Sequence, residues 1–473
     1  MLQIARNIAL GNGFSTAAGT LPTNGTQPFA TVLYSLVFYL VGSQRTLGVL
    51  FVLLLQFTGT ATTAWMIYRL GAGLMESRRD YSDAPSLAAC VWFSSPMTVL
   101  NTSNCLETWL YSLFVVAAFA MYWRILRTEP PFQTYIYFGF VLGLAFLARN
   151  DACLLILSFC VLHPFYGYRR NWTETITRVG QTCVMGLTSV AVSLPWLIFN
   201  LVRFGSIVPI SGQAEISGVT FGCNLSQWPA SLTEYAIVAL AIPNRLYSNP
   251  LVCVACLLTL AAFTAFAIAA ASQTEPGVRR LIGVFVLYGV LLSTFYGLFF
   301  GAGHFMGRYL FPLSPFMAIL WAVFVVHLLG KFSASKMRWA AGIVMSCVVV
   351  AVALQNIRIY SNGANQAHWQ VVKWVQENAG EDAWIGAVQS GTLGYFHDRT
   401  INLDGKVNPE ALNARLAQSI PAYVASSDIT YLADWTIDEW MRFPEISYRF
   451  EVVVKQRTPP LAVLRRKAVV FED

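Results

Sequence analysis

The sequence predicts a mainly α polytopic membrane protein. It should have about ten or eleven transmembrane helices, interfacial helices, and a small C-terminal α/β soluble domain on the outer face. Three observations predict this. Of the 473 residues, 56% are apolar and 12% charged, where a soluble globular protein carries about 25% charged residues. The mean hydropathy is +0.54, and apolar runs near the ~20 residues that cross a bilayer recur as far as residue 357. Beyond residue 357 the pattern changes to short β-type runs alternating with helical ones. The net charge of +7 is not a nucleic-acid signal, because many basic residues sit at helix ends where topology explains them.

Residues 1–28 are polar and rich in Gly, Thr and Asn, and read as an outer loop. Residues 28–41 are apolar but short for a span, which suits an interfacial or re-entrant helix. Ten spans follow, at roughly 46–70, 85–101, 106–126, 133–149, 152–168, 179–202, 249–271, 280–300, 309–330 and 338–357. With the first loop outside, the inner loops hold Arg69, Arg78, Arg79, Arg124, Arg127, Arg169, Arg170, Arg178, Arg279, Arg280, Lys331, Lys336 and Arg338. The outer loops hold only Arg6, Arg45, Arg149, Arg203, Arg245, Arg308 and Arg358. Positive charge belongs on the inner side, which favours this orientation. The expected domains are therefore 1–357 in the membrane, with an outer loop and interfacial helix over 1–45, and a soluble domain over 358–473.

The connections assigned to the outer face carry polar residues that a simple turn does not need. They are Asn101 to Asn104 with Glu107, then Arg149-Asn150-Asp151, Arg203 through Glu215, and Gly301 through His304 to Arg308. One such cluster reads as a solvated helix end; four on one face point to a shared polar site, since charge at membrane helix ends is costly. The loop 203–248 is too long for a plain connection, and Phe204, Phe221, Trp228, Tyr235 and Tyr247 make it read as an ordered lid. In the soluble domain, helices are expected over 368–378 and 408–418. Strands are expected over 384–388, 400–405 and 428–434, with a closing hairpin split by Thr458-Pro459-Pro460.

Eight of the nine cysteines lie within apolar segments or at their edges, which argues against a disulfide framework. Cys253 and Cys256 read as small helix residues. The five histidines show no ligand spacing, so no structural zinc is expected.

Such a site suits transfer of a group from a membrane-held carrier to an external acceptor. Transfer of a sugar from a polyprenyl phosphate needs a carboxylate to take the acceptor proton and cations to hold the departing phosphate. Glu107, Asp151 and Glu215 are candidate carboxylates. Arg149, Arg203, His304 and Arg308 are candidate phosphate partners, arginine being favoured for its forked geometry.

Several stretches then resemble one family over essentially the whole chain. ARNIALGNGF followed by TNGTQPFATVLYSLVFYLVG is similar to a first outer loop reading "ARN…G.G" and then "NG.QPLW". SNCLETWLY (103–111) resembles "NGLET", and GLAFLARNDACLL (143–155) resembles "GLA.LTRPDGLLL". PWLIFNLVRFGSIVP (195–209) and GHFMGRYLFPLSP (303–315) are similar to "P…..YFGS..P" and "..GRYL.P..P". WIGAVQSGTLGYF and INLDG resemble elements of the soluble domain. The family is that of the GT-C integral-membrane glycosyltransferases, which includes protein O-mannosyltransferases, the lipid A aminoarabinose transferase and bacterial polyprenyl-phosphate-sugar transferases.

The resemblance implies inverting transfer of a sugar from a polyprenyl-phosphate donor to a glycan, lipid or protein acceptor at the outer face of the cell inner or plasma membrane. The expected catalytic residues are Glu107 and Asp151. Arg6, Asn7, Asn24, Gln27, Asn104, Arg149, Asn150, Arg203, Glu215, His304 and Arg308 are expected to bind substrate. The residues call for no particular cofactor; the resemblance leaves a divalent cation open, since some family members use one with an acidic motif that this sequence lacks. One departure stands out. The family's acidic pair and the helix before it would precede Ala5-Arg6-Asn7, and the first acidic residue of this sequence is Glu76. A start placed too far downstream is the expected explanation. An inactive truncation or subunit, and relocation of the base to Glu107 or Asp151, are the alternatives. A glycolipid-binding protein without activity and a lipid or sugar transporter are the competing functions.

Overall fold

The computed structural model describes residues 1–128, 130–165, 172–242, 246, 249–301, 303, 306–331, 335–363 and 366–468. Arg169, Arg170, Arg245 and Tyr247 lie outside the described residues, as do the side chains of Lys336 and Arg338. In chain order, α1 (Leu2–Ala9), α2 (Pro28–Leu40) and α3 (Arg45–Leu74) lead into α4 (Ala84–Ser94), α5 (Pro96–Thr102) and α6 (Thr108–Thr128). Then come α7 (Gln133–Ala148), α8 (Ala152–Phe165), α9 (Trp172–Phe204), α10 (Ile210–Ile216) and α11 (Trp228–Ile237). The apolar part closes with α12 (Pro250–Ser272), α13 (Pro276–Thr294), α14 (Met306–Leu310), α15 (Ser314–Gly330) and α16 (Ser335–Ser361).

Among the described residues, seven helical segments are long and apolar enough to cross a membrane: α3, α6, α9, α12, α13 with its π turn, α14–α15, and α16. Three of the expected spans are not among them. The stretch 85–101 divides into α4 and α5 at Ser95-Pro96, where proline supplies no N–H and the Ser95 hydroxyl instead accepts the Met97 N–H at 3.2 Å. Helix α7 has 16 residues and the described part of α8 has 14, residues 166–168 of that expected span lying outside the described residues; Arg149 and Asp151 in the turn between them are buried. The 13 residues of α2 match the short helix expected there.

Contacts group the chain into two compact units, residues 53–197 with 219–358 and residues 1–52 with 198–218 and 359–473. The first is a helical bundle with an aromatic centre. Phe119 packs on Phe316 at 4.4 Å and on Phe159 at 5.2 Å, and Phe285 stacks on Phe316 at 4.8 Å. Helices α7 and α9 approach closely because Gly139 and Gly143 lie one turn apart. An added Cβ would sit 2.5 Å from the Met185 carbonyl oxygen at the first and 2.6 Å from the Val192 Cβ at the second. Small residues spaced in this way are a common means of packing membrane helices. Polar side chains also link helices: the Trp92 indole donates to Ser314 Oγ at 2.8 Å, and His163 lies 3.2 Å from Tyr122 Oη and 3.0 Å from Gln181 Oε1.

The second unit is built from three separated pieces of chain. A two-stranded ribbon, β1 (Ser15–Thr16) and β2 (Leu21–Pro22), lies in the N-terminal piece. The C-terminal piece runs α17 (Ala367–Asn378), β3 (Ile385–Ala387), α18 (Ser390–Phe396), β4 (Thr400–Asn402), α19 (Pro409–Leu416), α20 (Ile420–Ser426), β5 (Tyr431–Asp434), α21 (Pro444–Ser447), β6 (Phe450–Arg457) and β7 (Pro460–Arg466). The sheet order is β4-β3-β5-β7-β6, parallel for β4, β3 and β5 and antiparallel beyond.

Alternation along the strands gives this sheet two buried faces. Leu432 and Leu464 join Val424, Ile429 and Phe450 in one core, while Ala433 and Val463 join Val371, Val372 and Val375 of α17 in the other. Ala17 of the N-terminal loop is fully buried in the first of these cores, with Leu21 packed beside it. The three expected strands and the hairpin are present; the stretch 390–396 and residues 420–426, for which no element was expected, are helical.

Candidate active site

In the helical unit, three segments bring two arginines and two carboxylates into one cluster. The 103–107 turn is held by Gln56 of α3. Its amide donates to the Leu106 carbonyl at 3.0 Å, and its Oε1 accepts the Cys105 N–H at 3.2 Å. Asn104 serves the turn itself, donating to the Leu100 carbonyl and accepting the Leu106 N–H at 3.1 Å. This presents Glu107, which is 1% exposed, at the start of α6. Its Oε1 accepts from Arg308 Nη2 at 3.1 Å, and Arg308 remains 24% exposed at its side chain.

The α7–α8 turn supplies the second pair. Arg149 and Asp151 form an ion pair with side-chain exposures of 3% and 5%. Tyr296, in the π-helical turn Phe295–Phe299, donates to Asp151 Oδ2 at 2.8 Å and accepts from Arg149 at 3.3 Å. Arg149 also donates to the Arg308 carbonyl at 3.2 Å, which ties the two pairs together. Its guanidinium lies over the rings of Tyr111 and Tyr309, 5.1 and 5.5 Å from their centroids, and Tyr309 stacks on Tyr296 at 4.2 Å. Tyr111 Oη is 2.9 Å from Tyr288 Oη. An arginine enclosed by tyrosine faces keeps its charge with few waters.

The two carboxyl groups are driven in opposite directions. Burial raises both, but at Glu107 the charges of Arg308 and Arg149 outweigh it and hold the carboxyl below its usual range. At Asp151 burial prevails over Arg149 and Tyr296, so this carboxyl sits above its usual range. Two acids pushed apart by their surroundings are suited to different roles. Asp151 Oδ1 and Asn150 Oδ1 are both buried, with no hydrogen-bond partner among the described residues. Such acceptors are rare in native structures and often mark function.

The other expected binding residues of the described set lie in the second unit, where most are engaged in holding the loops. Arg6 donates to Asp398 at 2.8 Å and to the Ser43 carbonyl at 3.1 Å, and Arg45 reaches the same Asp398 oxygen at 2.8 Å. Asn7 donates to the Ser15 carbonyl at 2.9 Å. Asn24 bridges Asn200 Oδ1 at 3.2 Å and the Ile210 N–H at 3.0 Å. Glu215 pairs with Lys406 at 2.6 Å. Beside this pair, Gly25 has room for no side chain, because a Cβ there would meet the Lys406 carbonyl oxygen at 1.9 Å. Gln27 Oε1 is buried without a partner among the described residues, and Arg203 is exposed. His304 lies outside the described residues.

The tyrosines Tyr111, Tyr288, Tyr296 and Tyr309 were not expected at the site. Tyr111, Tyr288 and Tyr296 sit within apolar helices and Tyr309 within an apolar segment, where an aromatic residue carries no local signal. No group of three or more His, Cys, Asp or Glu side chains able to hold a metal ion occurs among the described residues. Glu107 and Asp151 each already face an arginine, so this cluster does not fit a divalent cation.

Comparison with known proteins supplies the fold's affinity. ArnT from Cupriavidus metallidurans bound to undecaprenyl phosphate matches with a TM-score of 0.59 at 11% identity, over 99% of this chain and 93% of that one. The apo state of the same protein matches at 0.57 and 11%, over 99% and 92%. This is the fold of the GT-C membrane glycosyltransferases. The archaeal oligosaccharyltransferase AglB from Archaeoglobus fulgidus, in complex with an inhibitory peptide and a dolichol-phosphate, matches at 0.52 and 11%, over 99% of this chain and 70% of that one. A domain of unknown function, DUF8728, covers residues 355–467. No curated protein matches by sequence. Across so low an identity, the GT-C likeness describes how the chain folds.

Proposed function

We propose that this chain is a membrane glycosyltransferase that moves a sugar from a polyprenyl-phosphate donor to an acceptor hydroxyl at the outer face of the membrane. The observation that carries this reading is the buried Glu107–Arg308 and Arg149–Asp151 cluster, joined through the Arg308 carbonyl. It supplies both things the reaction needs, cationic groups and a carboxylate with a free oxygen. The fold supports it, since ArnT is seen bound to undecaprenyl phosphate and AglB to a dolichol-phosphate.

The acceptor oxygen attacks the anomeric carbon as the bond from that carbon to the phosphate oxygen breaks. Arg308, the more exposed arginine, takes the charge that develops on the departing polyprenyl phosphate, with Arg149 behind it. Asp151 accepts the acceptor proton on Oδ1; its raised carboxyl pKa makes it a better proton acceptor than an ordinary aspartate. Glu107 stays ionised and fixes the direction of Arg308. The excess of positive charge in the loops assigned to the inner side supports an orientation with this cluster outside the cytoplasm. On this reading the soluble domain spans 358–473.

The test is transfer by the purified chain from a polyprenyl-phosphate sugar, comparing wild type with Asp151→Asn, Glu107→Gln and Arg308→Lys. Loss in all three supports the assignment; full turnover in Asp151→Asn removes it as the base. A second reading has its own observation: both carboxylates are already ion-paired. Under it the chain binds the glycolipid without turning it over. Saturable donor binding with no transfer by wild type would favour that reading.

A further inference from the structure

The helical unit holds a cavity of about 390 Å³, away from the arginine cluster. That is within the size range of small-ligand pockets. It lies between the C-terminal ends of α3 and α12 and the N-terminal half of α13, with α15 as its far wall. On α13 it touches Val278 to Phe285, whereas the Asp151 partner Tyr296 follows Phe285 by about three further turns, roughly 16 Å along a helix. The cavity is therefore towards the other end of the bundle, where Arg78 lines it.

Its lining is divided in two. Phe285, Phe316, Ile319 and Val323 make an apolar interior, and Ala267 and Ala270 leave the space that larger side chains on α12 would fill. The polar lining comes from helix ends. Ser77 donates to Glu275 at 2.7 Å, Arg78 donates to the Gln273 carbonyl at 3.4 Å and lies 5.3 Å over the Tyr81 ring, and Tyr81 Oη is 3.1 Å from His327 Nδ1. Neither Arg78 nor Glu275 has an oppositely charged partner among the described residues. The site thus offers one half-buried cation, one exposed carboxylate and an apolar slot.

We propose that this cavity holds an acyl chain of a zwitterionic aminophospholipid, with its phosphate on Arg78 and its ammonium on Glu275. Charge complementarity selects this occupant. A purely anionic head group would satisfy Arg78 but face the Glu275 carboxylate, and a soluble polar metabolite would leave the phenylalanine-lined interior unfilled. The site binds a lipid of the leaflet opposite the proposed transfer site and does not depend on transfer activity.

The test uses the full chain in nanodiscs of equal phosphatidylethanolamine and phosphatidylglycerol, with lipids retained on the protein read by native mass spectrometry. Wild type should retain phosphatidylethanolamine over phosphatidylglycerol by roughly fivefold, the scale of one exposed ion pair. Glu275→Gln should bring that ratio to about one, and Arg78→Ala should lower retention of both lipids. Ala270→Phe should empty the site. Since that variant fills a packed region, the Arg78 and Glu275 changes, both at helix ends, decide the matter if it fails to fold. Equal retention of the two lipids by wild type would overturn the proposal, as would an unchanged ratio in Glu275→Gln. Displacement by glycerophosphoethanolamine alone would overturn the acyl-chain assignment and identify a soluble head-group ligand.

Discussion

The molecule contains two arginine–carboxylate clusters that look alike as sequence and differ as physics. In the helical unit, Arg149, Asp151 and Glu107 have side chains 3%, 5% and 2% exposed, with Arg308 at 24%. In the other unit, Arg6, Arg45 and Asp398 are 15%, 31% and 41% exposed. Charges in the first set have lost most of their water and depend on each other, whereas the second set keeps much of its solvation and gains little from pairing. On the proposed function, the near-complete burial of Arg149, Asp151 and Glu107, more than the pairing itself, separates the first cluster from one that fastens loops.

The most severe way to break this comparison is Arg149→Ala, which leaves Asp151 buried without its cation. We expect a loss of about 3–5 kcal/mol in unfolding free energy, or failure to fold, measured by thermal or denaturant melts in detergent. A similar loss from Asp398→Asn would mean that exposure does not separate the clusters.

Next in size is Glu107→Gln, which keeps the shape of the side chain but frees Arg308 from its charge. Sugar transfer should fall by about 100-fold or more, the cost of a misdirected electrostatic group at a transition state. Folding should persist, and a transfer rate near wild type would remove Glu107 from the mechanism.

Gly25→Ala asks whether the second unit depends on backbone fit more than on its ion pairs. The new Cβ would collide with the Lys406 carbonyl oxygen, so melts should show a loss of about 1–3 kcal/mol, as for other overpacked sites. Asp398→Asn should cost less, within about 1 kcal/mol.

Acid titration sharpens the contrast between the two buried carboxylates. Glu107 is held below its usual range, so its contribution to stability is complete above the unfolded value of about 4.3 and is lost as pH falls through the folded value. Asp151 is raised, so its contribution has the opposite sign, present at low pH and lost as pH rises through its folded value. Melting temperature followed from pH 7 downward should therefore decline less steeply in Glu107→Gln than in wild type. An identical slope would contradict these two directions.

Much of the architecture was legible from local pattern. The recurring apolar runs located the helices, because a bilayer demands continuous stretches of fixed length. Alternation in WIGAV, DITYLAD and the final hairpin located strands, because a sheet buried on both faces needs regular side-chain placement. The sequence also picked out Glu107, Arg149, Asp151 and Arg308, because charge beside an apolar helix is costly enough to be conspicuous. It did not separate these from Arg6 or Glu215, which carry the same chemistry in loops of similar polarity.

That separation came only with the tertiary structure. Whether an arginine is dry or wet depends on what packs over it, and Tyr111 and Tyr309 come from helical segments distant in sequence. The same holds for Arg149 and Asp151 in the turn between α7 and α8, buried by their neighbours, and for Ala17, which lies in a sheet core made by residues between Ile401 and Leu464. By itself the sequence determined which segments are helices and strands and which side chains carry charge. The tertiary structure decided which of those charges lost their water, because desolvation is a property of the packed surroundings and not of the residue.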